Sequence, residues 1–278
     1  MAKKLAVAVI HGIGSQGDTR PPATNKLVFS KELHDRVSRE MGRTVFDADI
    51  AWREIFWSDV LQTRQNAYLS RIKRRTRSDK MRSFVLCNLA DASSYRKTGD
   101  PSDTTYEDIH SRVRKTIKDL EGDVEPNAPL VIVAHSLGGH IMSNYIYDMM
   151  KAPALAPTKF QKLKTMGGFV TFGCNIPLFT FAYRPNKVFP VKFPGTDLPT
   201  DKKLMPWWLN FYDKDDVLGY PLKDIGPNYA KLVASNGLYE KSINAGGALS
   251  SWNPLSHNSY WKDDDFYRPL TRFLKKFL

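Results

Sequence analysis

Short apolar runs alternate along this chain with stretches in which apolar residues recur every three or four positions. The runs, bounded by turn residues, predict strands at about 4–10, 45–56, 130–135, 167–172, 208–212 and 239–244. The second pattern predicts helices over about 26–41, 105–120, 140–150 and 266–277. Ile109, Val113, Ile117 and Leu120 share one face of the second of these, with Asp103 as a candidate cap before it; Leu270, Phe273, Leu274 and Phe277 share one face of the last. Strands alternating with helices imply an α/β protein, with a mostly parallel central sheet covered by helices on both faces. No internal repeat is visible.

Two stretches exceed what a crossover needs. Residues 58–124 are mostly helical in pattern, divided by a polar, turn-rich segment at 91–104, and read as an insertion. Residues 176–206 mix Pro177, Pro185, Pro190, Pro194, Pro199 and Pro206 with aromatic residues. Prolines block regular structure while the aromatics need burial or a ligand, so the segment reads as an irregular loop packed on the sheet or a lid-like wall over a site.

Composition narrows the class. At 278 residues, 42% hydrophobic and 25% charged, the chain can bury one large core or two modest ones and is not of disordered type. No apolar stretch approaches the roughly 20 residues needed to span a bilayer. The beginning resembles a short secretory signal, but its apolar run leads straight into residues that the chemistry below requires, so a core strand is the better reading and a cytoplasmic location is expected. Cys87 and Cys174 are too few for a disulfide framework and have no metal-ligand spacing. Much of the net charge of +12 lies in the run 71–82, which reads as a solvated helix face or as a peripheral contact for an anionic membrane. The run has no interleaved aromatics for base stacking, and no nucleic-acid partner is expected.

The chemistry concentrates at Ala134-His135-Ser136-Leu137-Gly138-Gly139, between the strand at 130–135 and a helical pattern. A sharp strand-to-helix turn exposes a serine as a nucleophile, and it tolerates only small side chains two positions before and after it; Ala134 and Gly138 satisfy this. A serine hydroxyl needs a base to take its proton and a carboxylate to orient that base. Of six histidines, His257 stands in a turn-rich loop after the last strand and before the terminal helix, where a base is expected. The carboxylate should follow the strand at 208–212, where Asp213, Asp215 and Asp216 all stand, and Asp213 is also suited to holding the turn through its backbone. For the oxyanion, the N–H of Leu137 opens the helix after the serine, and His11-Gly12-Ile13-Gly14 after the first strand offers Ile13 as a second donor.

With these pieces in this order the chain resembles the α/β-hydrolase superfamily, and within it lipase-like and esterase-like serine hydrolases. The resemblance rests on His11-Gly12-Ile13-Gly14, the turn at Ser136, Thr171-Phe172-Gly173 with Pro177, the aspartates at 213–216, and His257. It spans nearly the whole chain except 58–124, and implies a single α/β-hydrolase domain over 1–278. It favours Asp216, three after the first aspartate, as the acid of a Ser136–His257–Asp216 triad. It further implies hydrolysis of a small-molecule or lipid carboxylic ester through an acyl-enzyme, without metal or organic cofactor. A thioesterase, amidase or acyltransferase would use the same triad, and a catalytically silent protein binding lipid or a partner through its basic helix is the alternative from another class.

Overall fold

The computed structural model describes residues 2–12, 20–76, 79–245 and 254–278. Its elements in chain order are β1 (Leu5–Ile10), α1 (Lys31–Met41), α2 (Arg43–Asp49), β2 (Ile50–Ile55), α3 (Asp59–Ile72), α4 (Asp79–Ser94), α5 (Thr105–Glu121), β3 (Leu130–His135), α6 (Leu137–Lys151), β4 (Met166–Phe172), β5 (Trp208–Asp213), α7 (Pro227–Ala234), β6 (Leu238–Ile243) and α8 (Asp264–Lys275). The six strands form one sheet in the order β2-β1-β3-β4-β5-β6, every neighbouring pair parallel.

Side chains alternate across a strand, so each fully buried run feeds two cores. Ala6, Ala8 and Ile10 of β1 and Leu130, Ile132 and Ala134 of β3 meet α5 and α6 on one face. Leu5, Val7, Val9, Val131 and Val133 meet α1 and α8 on the other. A sheet sandwiched in this way is the α/β architecture that the alternating pattern predicts.

Two predicted elements differ. The strand expected over 45–56 is a short helix, α2, followed by β2: Gly42, at φ 99°, breaks α1 and accepts the N–H of Phe46, the one residue of α2 that is buried. The helix expected over 26–41 starts only at Lys31. The buried carboxylate of Glu54, on β2, takes the N–H groups of Val28, Phe29 and Ser30 at 2.8, 3.1 and 2.6 Å, holding that stretch as an irregular approach to α1. The segment 176–206 is irregular with three short 3-10 turns. Its first residues follow the end of β4, at the serine's end of the sheet. Further on, Phe193 packs on Trp207 just before β5, and Gly195 lies against the carbonyl of Met166 at the start of β4.

Strand order places the site. From β1 the chain steps to one side for β2, then returns past β1 to build β3 through β6 on the other. The order therefore reverses between β1 and β3, and ligands of open α/β sheets bind outside the carboxyl ends of the strands at such a reversal. Ile10 of β1 pairs with Ala134 of β3, so the loop at His11–Gly12 and the turn at Ser136 leave the sheet side by side.

Candidate active site

Ser136 links β3 directly to α6 with φ 53° and ψ −125°, a conformation that costs a non-glycine residue about 1–3 kcal/mol. Its amide donates to the carbonyl of Phe172 at the end of β4, 3.0 Å away, which holds the turn against the neighbouring strand. Small residues are required where the main chains converge. A Cβ on Gly138 would lie 2.7 Å from the carbonyl oxygen of His11, and one on Gly12 would lie 2.3 Å from the Cβ and 2.9 Å from the Oγ of Ser136. The backbone after β1 thus rests directly on the serine side chain. Ile13, the second oxyanion donor expected from the sequence, lies outside the described residues. Leu137 is the first residue of α6, so its N–H has no partner within the helix and stands next to Ser136.

The imidazole of His257 donates from Nδ1 to the carboxylate of Asp216, at 2.8 and 3.0 Å to its two oxygens. Both residues are buried. Asp216 also accepts the Tyr260 hydroxyl at 2.9 Å and the N–H of Leu218 at 3.0 Å. Burial alone would push this carboxyl up; the hydrogen bond and charge of His257, with the bonds from Leu218 and Tyr260, outweigh it and hold the group below the usual carboxylate range. With Nδ1 engaged by the carboxylate, Nε2 is the ring nitrogen left without a hydrogen-bond partner. Gly173, at φ 54°, lets β4 turn away closely enough for His257 Cε1 to lie 3.1 Å from where a Cβ would stand. Asp213 does other work: its carboxylate takes the N–H of Asp215 at 2.9 Å and of Ala245 at 2.6 Å, tying the turn to the end of β6.

The described hydrogen bonds join His257 to Asp216 but do not join Ser136 to His257. The serine Oγ and the histidine Nε2 are both buried without a hydrogen-bond partner. They are complementary, a hydroxyl donor and a bare ring nitrogen, at the same end of the sheet. Catalytic hydrogen bonds are often long before substrate binds and tighten in the complex.

Three supporting groups carry no sequence signal. His135 turns its ring against that of His257, with centroids 4.7 Å apart, and its Nε2–H donates to the carbonyl of His257 at 2.8 Å. His11 stacks on Trp57 at 4.9 Å, accepts the Trp57 amide at Nε2 and donates from Nδ1 to the carbonyl of Gly12 at 2.7 Å. Tyr260 bridges the two aspartates, accepting the N–H of Asp213 at 2.8 Å while it donates to Asp216. Each role depends on a partner more than 40 residues away or on a ring packed from another element, which spacing cannot reveal. Among the described residues no three metal-ligating side chains converge.

No protein-family model and no curated protein matches this sequence. Among solved structures the chain is similar to one from Lactobacillus plantarum at 14% identity, covering 98% of this chain and 89% of that one, with a TM-score of 0.42. It is similar to a thermostable carboxylesterase cloned from a metagenomic library at 14% identity, 99% and 80% coverage and a TM-score of 0.40. An esterase from Pyrobaculum calidifontis matches at 13% identity, 99% and 76% coverage and a TM-score of 0.39. Likeness at this level decides neither activity nor substrate.

Proposed function

We propose that the protein is a serine-dependent carboxylic-ester hydrolase, its domain spanning 1–278 with 58–124 as an insertion. The observation that carries this reading is the strained turn at Ser136, whose buried, unpartnered hydroxyl shares one end of the sheet with the hydrogen-bonded pair His257–Asp216. A backbone strain of this kind persists only where its surroundings enforce it, and exposing a nucleophile is the chemical use such a turn has.

In the proposed reaction Ser136 Oγ attacks the acyl carbonyl carbon while its proton passes to His257 Nε2. The carbonyl π pair moves to oxygen, and the N–H groups of Leu137 and Ile13 stabilise the resulting oxyanion. Asp216 holds the ring by Nδ1–H and balances the imidazolium charge. Collapse of the tetrahedral intermediate breaks the ester C–O bond, and the imidazolium returns its proton to the departing alkoxide. Water, deprotonated by the same nitrogen, then attacks the acyl-enzyme and releases the carboxylic acid and the free serine.

Ser136→Ala tests this directly. Turnover of an activated ester and covalent labelling by a fluorophosphonate should both disappear in a protein that melts like the wild type. Undiminished labelling of the variant would refute the assignment.

A further inference from the structure

A concavity of about 810 Å³ lies between the end of α6, α7 and the segment at 189–192. It begins at Tyr147, roughly 16 Å from Ser136 along the axis of α6 at about 1.5 Å per residue. Its α6 wall is therefore separate from the proposed ester site, at the far end of that helix. Its volume falls in the range of about 300–1,000 Å³ that small-molecule sites occupy.

The walls are apolar where a surface would ordinarily be polar. Tyr147 and Phe189 are 55% and 68% exposed, and Met150 is 40% exposed, facing one groove with Val191 and Leu232. Apolar side chains gathered in this way mark a binding surface more often than scattered ones do. Around them stand Lys151, Lys192 and Lys231, all exposed. Among the described residues none of the three ammonium groups has a carboxylate partner. The groove is preformed: the Asn228 side chain donates to the carbonyls of Val188 at 2.8 Å and Asn186 at 3.2 Å, fixing the segment to α7.

We propose that this groove binds a single-chain amphiphile with a carboxylate head, a long-chain fatty acid. The apolar trough takes the chain and removes it from water, and the three ammonium groups, none facing a carboxylate and that of Lys151 standing over the Tyr147 ring, receive the charge. A concave trough of this volume encloses one chain, whereas docking on a bilayer needs a convex or flat apolar face. The inference stands on residues outside the proposed triad and does not depend on the reaction at Ser136.

Binding of dansyl-labelled undecanoate, read by fluorescence, tests it on the wild type, on Ser136→Ala, on a Lys151→Glu/Lys192→Glu/Lys231→Glu variant, and on Ser235→Trp, which fills the groove from its exposed rim. The first two should bind alike, with laurate competing and dodecanol not. Charge reversal and groove filling should each weaken binding at least tenfold while hydrolysis of a short activated ester, wherever it occurs, is unchanged. Equal binding by the charge-reversed protein, equal competition by dodecanol, or loss of the probe on fluorophosphonate treatment would each overturn the proposal. So would association with phosphatidylglycerol vesicles that needs the same lysines while free probe fails to bind.

Discussion

At the scale of single residues, two aspartates three positions apart carry opposite duties. Asp216 receives His257, Tyr260 and the Leu218 amide, while Asp213 spends both oxygens on backbone N–H groups. If His257 is the base, Asp216→Asn should lower kcat by up to about 10⁴-fold, as replacing the orienting carboxylate does in serine proteases, with the melting temperature little changed. Asp213→Asn should instead lower stability and leave most of the turnover; the reverse pattern, measured by steady-state kinetics and thermal melts, would exchange the two roles. His135 acts as a positioning residue in this scheme. His135→Phe keeps a ring in place but leaves the His257 carbonyl buried without its donor, a loss of about 1–3 kcal/mol. Its expected signature is a fall in kcat larger than any rise in KM, because the base is displaced while the acyl site is intact. The strand-to-helix turn at Ser136 is legible in the sequence because it needs only a strand end, small neighbours and a helical pattern after it. The turn-holding role of Asp213 is legible from its place at the strand end, whereas the partners of Asp216 come from tertiary structure that the residues alone do not show.

At the scale of elements, α8 is docked through an unusual surface. Gly167 and Gly168 open β4, and a Cβ on Gly168 would lie 2.5 Å from Cε1 of Phe273, while one on Gly167 would lie 2.4 Å from Cε1 of Phe277. The rings of Phe273, on α8, and Phe277, just after it, therefore occupy the space that side chains at those positions would need. Gly168→Val, which strand propensity alone would favour, should destabilise the protein by about 1–3 kcal/mol through overpacking. For a chain of this size that corresponds to a drop of very roughly 2–12 °C in melting temperature, at about 2–4 °C per kcal/mol. An unchanged melting curve would mean that α8 can slide outward freely. Here the periodic pattern was a good guide: β3, α5, α6 and α8 fall within a few residues of their predicted positions, because each buries a full face against the sheet. It was a poor guide for α2, where one buried phenylalanine in seven residues leaves no period to detect, and for α7, eight residues introduced by Gly226 and Pro227 with only Tyr229 buried. The late start of α1 was hidden because its cause, the carboxylate of Glu54, sits in another element.

At the scale of the whole molecule, four histidines are held as neutral rings, His11, His110 and His135 buried and His140 half-buried against the Phe179 ring. Burial drives His11 down to about 3, opposed in part by its bond to Gly12; it drives His110 down to about 3, reinforced by Arg114 and Lys97, and His140 down to about 4. His135 is held well below the ordinary value, first by burial and then by the neighbouring charge of His257. In the unfolded chain each titrates near about 6.5. As pH falls below that value the unfolded state gains protons that the folded state refuses, so stability drops, and it continues to drop until the folded-state values near 3 to 4 are reached. Each ring contributes at most about 1.4 kcal/mol per pH unit, and the four together about 5 kcal/mol per unit near pH 5. Domains are stable by only about 5–15 kcal/mol, and the four rings together remove about 8 kcal/mol between about pH 7 and pH 5, so this chain should unfold cooperatively between about pH 5.5 and pH 3.5, with the depressed carboxyl of Asp216 acting in the same direction at the lower end. Urea unfolding at several values between about pH 5 and pH 7 measures the slope directly. His110 lies apart from the proposed triad, so His110→Gln should reduce the slope by roughly 1.4 kcal/mol per unit whatever it does to stability at neutral pH. A flat profile, or the same slope in the variant, would show that these rings take up protons in the folded protein.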